Sequence, residues 1–282
     1  MSRKILVSAA ELDSLIGDGR AIAVDCRFDF ANPEKGRADW LAGHVPGAAY
    51  AHLDDDLSSP VEAHSGRHPL PSTTKFAEFL GRIGWTPGTL LVAYDEGSSA
   101  VASRLWWLME YFGQAAALLD GGLAAWRAAG LTLEAGEPTP SPQPPPNLKP
   151  RTDTTVGSDD ILTDLGRDDL LVLDARASPR FTGETETLDT RAGHIPGSVN
   201  RPFGSNLTPM GLFKESGQLR KEFEALMESR HPGAVAHSCG SGVTACHNLF
   251  AMELAGLTGS RLYPGSWSEW IRDPNRPIET GP

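Results

Sequence analysis

The chain repeats itself once, and that constrains its fold more than any other feature. Asp25-Cys26-Arg27 is echoed by Asp174-Ala175-Arg176 at an offset of 149 residues. Gly43-His44-Val45-Pro46-Gly47 is echoed by Gly193-His194-Ile195-Pro196-Gly197 at an offset of 150. Further on, Asp120-Gly121-Gly122 with Trp126 answers Pro264-Gly265-Ser266 with Trp270. Solenoid repeats recur every ~20–50 residues, so two copies at this longer period read as a duplicated domain. The length of 282 residues agrees with two domains of roughly 100–200 residues each. Between the copies, residues 137–150 hold seven prolines in fourteen positions. Proline fixes φ and lacks an N–H donor, so this stretch reads as a stiff, extended connector. The expected organisation is a first domain over 1–136, a Pro-rich linker over 137–152 and a second domain over 153–282.

Inside each copy, short apolar runs alternate with helical patterns. In the first, residues 21–24, 90–94 and 115–119 read as strands, and 76–83, 100–112 and 123–129 as helices. In the second, 170–173, 234–237 and 261–263 read as strands. There 219–229 reads as a helix, and 243–255 as another that Gly256 closes. Continuous apolar strands alternating with helices predict an α/β fold in each domain, a parallel sheet with helices on both faces. Ligands of such sheets bind beyond the carboxyl ends of the strands, so the turns after Tyr94 and His237 are the places to search.

Composition narrows the partners. Lys plus Arg is 25 and Asp plus Glu is 36, a formal net charge of −11. The two halves carry −6 and −5, so no basic face is expected to bind nucleic acid. After Met-Ser-Arg-Lys only Ile5 to Val7 are strongly apolar, short of a signal-peptide core. No run approaches the ~18 apolar residues of a membrane span. Three cysteines, Cys26, Cys239 and Cys246, are too few and odd in number for a disulfide framework. A cytoplasmic location is the expectation.

Cys239 is the candidate nucleophile. It follows a strand at once, and Gly240-Ser241-Gly242 then opens a helix. Glycines let successive backbone N–H groups curl toward one point, and a helix N-terminus behind them favours negative charge. A thiolate there is stabilised and becomes a stronger nucleophile at neutral pH. In the first copy the aligned position is Glu96, which cannot act as a sulfur nucleophile, so that copy is expected to be silent. Cys26 aligns with Ala175, and Cys246 lies about two helical turns beyond Cys239; both read as packed core thiols. A Cys-x5-Arg phosphatase would need an arginine where Ala245 stands.

Taken together, the paired Gly-His-Val/Ile-Pro-Gly motifs, the loop from Cys239 through Thr244 and Ala245, and the tail from Tyr263 through Trp270 to Gly281 resemble the two-domain rhodanese and 3-mercaptopyruvate sulfurtransferase family. The resemblance covers nearly the whole chain. It implies two tandem rhodanese-like domains and a sulfurtransferase that carries sulfur as a Cys239 persulfide, held by the N–H groups of Gly240, Gly242, Val243 and Thr244. The donor would be a small anion, and the acceptor a thiol, a thioredoxin-like protein or cyanide. The uncharged loop is similar to that of the mercaptopyruvate branch, in which a Ser-His-Asp relay moves protons; the matching residues are Ser241, His68 and Asp54. Of the two arginines that branch often uses for the donor carboxylate, Arg180 matches the first. Where the second would stand, residues 186–189 read Glu-Thr-Leu-Asp, and Arg191 nearby has no secure alignment. The stretch 182–186 also occurs in thiosulfate sulfurtransferases, so a thiosulfate:cyanide enzyme stays open, as does a non-enzymatic sulfur carrier or binding module.

No metal or organic cofactor is required by this chemistry. His64 and His68 are spaced i, i+4, but in a Ser-, Gly- and Pro-rich segment that no helix would present on one face. Asp25 with Arg27, and Asp174 with Arg176, follow core strands and read as structural anchors.

Overall fold

The structure is a computed structural model describing residues 4–139, 141–167 and 169–282. Residues 1–3 of the N-terminal reading and Pro140 of the linker lie outside the described residues. Two compact units divide the chain: Met1–Ser59, Leu70–Arg151 and Pro209–Leu212 form the first, and Pro60–Pro69, Thr152–Thr208 and Phe213–Pro282 the second.

In the first unit the elements run β1 (Leu6–Val7), α1 (Ala9–Gly17), β2 (Ala21–Asp25), α2 (Glu34–Ala42), β3 (Ala49–Tyr50), α3 (Thr73–Arg82), β4 (Leu90–Tyr94), α4 (Ala102–Tyr111), β5 (Ala116–Leu119) and α5 (Gly122–Ala128). The strands pair in the order β1-β5-β4-β2-β3, every pair parallel. β4 and β5 are buried almost throughout, as expected of interior strands with both faces covered. Leu12, Val92, Leu119 and Trp126 belong to one core cluster, which joins α1 and α5 to a face of the sheet.

In the second unit, α6 (Ser158–Asp164), β6 (Leu171–Asp174), α7 (Ser178–Phe181), β7 (Val199–Asn200), α8 (Ser216–Met227), β8 (Val235–Ser238), α9 (Ala245–Leu254), β9 (Arg261–Leu262) and α10 (Ser266–Trp270) follow. The parallel order is β7-β6-β8-β9. Trp267 and Trp270 of α10 lie in the core with Val172, Ala236 and Tyr263. The helix expected from 243 begins two residues later, because Val243 and Thr244 still belong to the turn.

The repeated motifs work as one device. Arg27 donates from Nε to both Asp25 oxygens, and from Nη2 to Asp25 and to the carbonyl of Gly43 (2.7 Å each). Arg176 does the same with Asp174 (2.7 Å) and the carbonyl of Gly193 (2.8 Å). The histidine of each Gly-His motif meets a backbone carbonyl through Nδ1: His44 that of Trp40 (2.7 Å) and His194 that of Phe181 (2.8 Å). The motif that announces the duplication thus ties a strand end to the loop beyond it.

The Pro-rich segment is pinned, not free. Gln143 donates its N–H to Gly81 (2.8 Å), Arg151 donates to Tyr111 (2.8 Å), and Leu148 is buried. No helix among the described residues is long and apolar enough to cross a membrane.

Candidate active site

β8 ends at Ser238 and Cys239 follows immediately, so the sheet delivers the thiol to the carboxyl end of a central strand. Its backbone is held on both sides. The Cys239 N–H donates to Ser266 Oγ (3.0 Å), its carbonyl accepts from Trp267 (3.0 Å), and Gly240 accepts from Ser268 (2.9 Å). The Gly242 N–H donates to Cys239 Sγ (3.2 Å), an amide aimed at the sulfur as a thiolate-stabilising loop requires. Gly242 sits at φ +75°, and a Cβ there would lie 2.3 Å from the Pro264 carbonyl oxygen, so only glycine fits.

Residues 65–68 lie along this loop. Arg67 donates its N–H to Ser268 Oγ (3.0 Å), Ser65 accepts from Arg272 Nε (3.1 Å), and a Cβ on Gly66 would meet the Gly265 carbonyl oxygen at 2.5 Å. His68 Nδ1 and Ser241 Oγ are 2.7 Å apart, and both residues are buried. Arg180, at the end of α7, donates from Nε and Nη2 to Glu186 and from Nη2 to Asp189 (3.0 Å). Asp189 also accepts from Arg67 Nη1.

Cys239, Gly240, Ser241, Gly242, His68 and Arg180 therefore belong to one unit, and Val243 and Thr244 carry the loop into α9. Asp54 belongs to the other unit; burial raises its carboxyl pKa, which the neighbouring His52 opposes. Sequence reasoning missed Arg67, Glu186 and Asp189. Arg67 adjoins His68 and was legible as a neighbour, whereas the two acids read only as a gap where an arginine was sought. Arg191 is exposed, and its carbonyl accepts from Trp267 Nε1 (2.9 Å). Among the described residues no group of three or more His, Cys, Asp or Glu side chains is arranged to hold a metal ion.

The equivalent turn of the first unit is filled from within. The Asp95 carboxylate accepts N–H bonds from Gly97 (3.1 Å), Ser99 (2.8 Å), Val101 (3.0 Å) and Ala102 (3.4 Å). Burial pushes the Asp95 pKa up, against the pull of those four amides. Glu96, opposite Cys239 in the alignment, pairs with Arg127 (2.5 Å). In this unit Leu212 packs on Gly121, and the turn borders a cavity of about 850 Å³ lined by Arg27, Asp95, Glu96 and Arg127.

The sequence matches the rhodanese-like domain over residues 8–129 and again over 158–273. The chain belongs to the rhodanese-like family. Similar proteins include a probable 3-mercaptopyruvate sulfurtransferase of Pseudomonas aeruginosa, 44% identical and covering 100% of both chains. A putative thiosulfate sulfurtransferase of Mycobacterium tuberculosis is 39% identical over 99% of this chain and 98% of its own. Among solved structures, that of an Escherichia coli 3-mercaptopyruvate sulfotransferase matches with a TM-score of 0.81 and 31% identity, covering 94% of this chain and 100% of that one. The two parallel sheets are thus two rhodanese-like domains, as the resemblance implied.

One buried group of this rhodanese-like site titrates against the fold. Neither ring nitrogen of His237, two residues before Cys239, has a hydrogen-bond partner, and burial lowers its pKa from 6.5 to about 3. The unfolded chain therefore binds a proton that the folded chain refuses. This contribution to stability is complete above pH 6.5 and is lost as pH falls toward 3. Between pH 6 and pH 4 the loss is on the order of 2–3 kcal/mol. Urea titrations at both pH values should show that much more acid sensitivity in the native protein than in His237→Leu. Equal sensitivity would place a charged His237 in the fold.

Proposed function

We propose that the protein is a sulfurtransferase that takes a sulfur atom from 3-mercaptopyruvate and passes it, through a Cys239 persulfide, to a thiophilic acceptor. The observation that carries this reading is the Cys239 sulfur receiving the Gly242 N–H beside the Ser241–His68 pair. The first domain is silent, because Asp95 fills the amide cluster of its turn and Glu96 stands in place of the nucleophile.

The thiolate attacks the donor sulfur. A Cys239 S–S bond forms, the donor C–S bond breaks, and its electron pair leaves on the carbon as the enolate of pyruvate. That carbon takes a proton to give pyruvate. Ser241, hydrogen-bonded to His68, delivers it. Arg180 orients the donor carboxylate, and the loop amides from Gly240 to Thr244 hold the persulfide. A thiol, a thioredoxin-like protein or cyanide then attacks the outer sulfur and frees Cys239, which gives ping-pong kinetics. None of the three cysteines forms a disulfide, which suits a reducing cytoplasm.

A loop without basic residues favours a donor carrying one carboxylate over the dianion thiosulfate. Side-by-side kcat/KM values for the two donors test this; the expected ratio favours mercaptopyruvate by at least about tenfold, or ~1.4 kcal/mol in the transition state. Ser241→Ala should reduce kcat with mercaptopyruvate more than with thiosulfate, because only the former leaves a carbanion to protonate. A ratio favouring thiosulfate, with equal effects of Ser241→Ala, identifies thiosulfate as the donor.

A further inference from the structure

The cavity of about 850 Å³ in the first unit opens beyond the carboxyl ends of β2 and β4, where a parallel sheet receives its ligand. Its lining includes Arg27, whose side chain is only 6% exposed. Nε and Nη2 of Arg27 are spent on Asp25 and the Gly43 carbonyl. Nη1 makes no hydrogen bond among the described residues, and the Glu96 carboxylate stands 3.7 Å from it. A guanidinium keeps its charge at any ordinary pH, so the open N–H calls for an anionic acceptor. The other acids lining the cavity are engaged. Asp95 takes four amides of its own loop, Asp29 takes the N–H groups of Ala31 and Asn32, and Asp39 pairs with Lys35. Glu96 is the exception. It is 60% exposed and its close partner is the half-exposed Arg127, a pair that contributes little. The second unit shows a permanent closure. Arg176 Nη1 also stands 3.7 Å from a carboxylate, but that residue, Glu186, is 4% exposed and fixed by Arg180 and by the N–H groups of Leu188 and Asp189. Glu96 has no such fixing and can yield its place on Arg27 while it keeps Arg127.

We propose that the silent first domain is a binding domain for a small aromatic carboxylate, whose carboxylate displaces Glu96 from Arg27 and whose ring lies on Phe28, Phe30 and Leu133. These three side chains line the same cavity. Phe28 and Phe30 meet edge to face with centroids 5.3 Å apart, and Phe30 and Leu133 are 53% and 38% exposed. Large apolar side chains left in water beside a buried cation form the two halves of a site for an amphipathic anion. One open N–H among several carboxylates suits a single negative charge and disfavours a compact dianion such as phosphate. The duplicated copy thus keeps the arginine of its motif, replaces the nucleophile with a displaceable acid and holds a ligand where its twin transfers sulfur. This role does not depend on which donor charges Cys239.

The test titrates phenylacetate into the full-length, nitrogen-15-labelled protein and follows the backbone amides by NMR. Binding is expected with a Kd on the order of 1 mM, and with amide shifts concentrated in residues 27–31 and 95–101. Acetate, which lacks the ring, and benzyl alcohol, which lacks the charge, should each bind at least about tenfold more weakly. Phe30→Ala should weaken phenylacetate about fivefold. Glu96→Gln removes the competing charge at nearly constant shape and should tighten binding about threefold or more. Both replaced side chains are exposed, so the variants keep the fold; Arg27 is left intact because its pair with Asp25 supports that fold. No shift at these amides with about 20 mM phenylacetate, or shifts confined to the turn after Cys239, would overturn the proposal. So would equal affinity in the native protein and both variants. Weaker binding in Glu96→Gln would make Glu96 a ligand contact and overturn its displacement.

Discussion

Replacing Cys239 by serine is expected to abolish sulfur transfer from every donor, a fall in kcat of roughly 10⁴-fold or more. The serine oxygen cannot form the sulfur–sulfur bond on which both half-reactions depend, and no other thiol can stand in. Cys246 is fully buried in α9 and donates from Sγ to the Gly242 carbonyl (3.4 Å). A serine hydroxyl can make the same bond, so Cys246→Ser should keep most of the activity. Cys26 is fully buried, and burial, aided by the charges of Asp25, Asp95 and Asp56, pushes its pKa well up, which keeps it a protonated thiol and a poor nucleophile. Loss of activity in Cys246→Ser together with survival in Cys239→Ser would move the nucleophile to α9 and remove the role given to the loop.

The second large effect is on stability. Asp174 and Arg176 are buried, joined by several hydrogen bonds, and the guanidinium also holds the Gly193 carbonyl and lies 4.9 Å from the centre of the Trp267 ring. Asp174→Ala leaves that guanidinium buried with only Glu186, 3.7 Å from Nη1, as counter-charge, and breaking such a pair costs about 3–5 kcal/mol. The damage reaches the site, because the Trp267 N–H holds the Cys239 carbonyl. Asp25→Ala should do the same to the first unit through Arg27. Urea unfolding followed by tryptophan fluorescence and by circular dichroism checks this, with the two units free to give separate transitions. A loss below about 1 kcal/mol would mean that water replaces the missing carboxylate and that the pair behaves as a surface ion pair.

The interior of the fold was legible in the sequence because its strands are apolar runs without alternation. Residues 90–94 match β4 to the residue, and the other expected strands and helices lie within a few residues of their observed bounds. The unexpected strands β1, β3 and β7 are two residues long, too short to carry any period, and α1, α2, α6, α7 and α10 lie outside the stretches read as helices. The turn with Cys239 was legible because a strand, a nucleophile and two glycines stand together in eleven residues. Its surroundings were not. Packing places residues 60–69 with the second half of the chain and 209–212 with the first, and neither exchange leaves a local pattern. Arg67 thereby comes to a loop some 170 residues away in sequence, as His68 does. The expected silence of the first turn was read from Glu96 alone. The filling of its amides by Asp95 is a tertiary fact, since an aspartate ending a strand looks the same whether it faces water or its own loop.

The most direct test of the account is intact-protein and peptide mass spectrometry after brief incubation with 3-mercaptopyruvate and, separately, with thiosulfate. The account predicts that mercaptopyruvate adds one sulfur atom per chain, mapped to the peptide carrying Cys239, removed by cyanide or a dithiol, and absent from Cys239→Ser. A sulfur carried on Cys26 or Cys246, or no added sulfur with either donor, would contradict it.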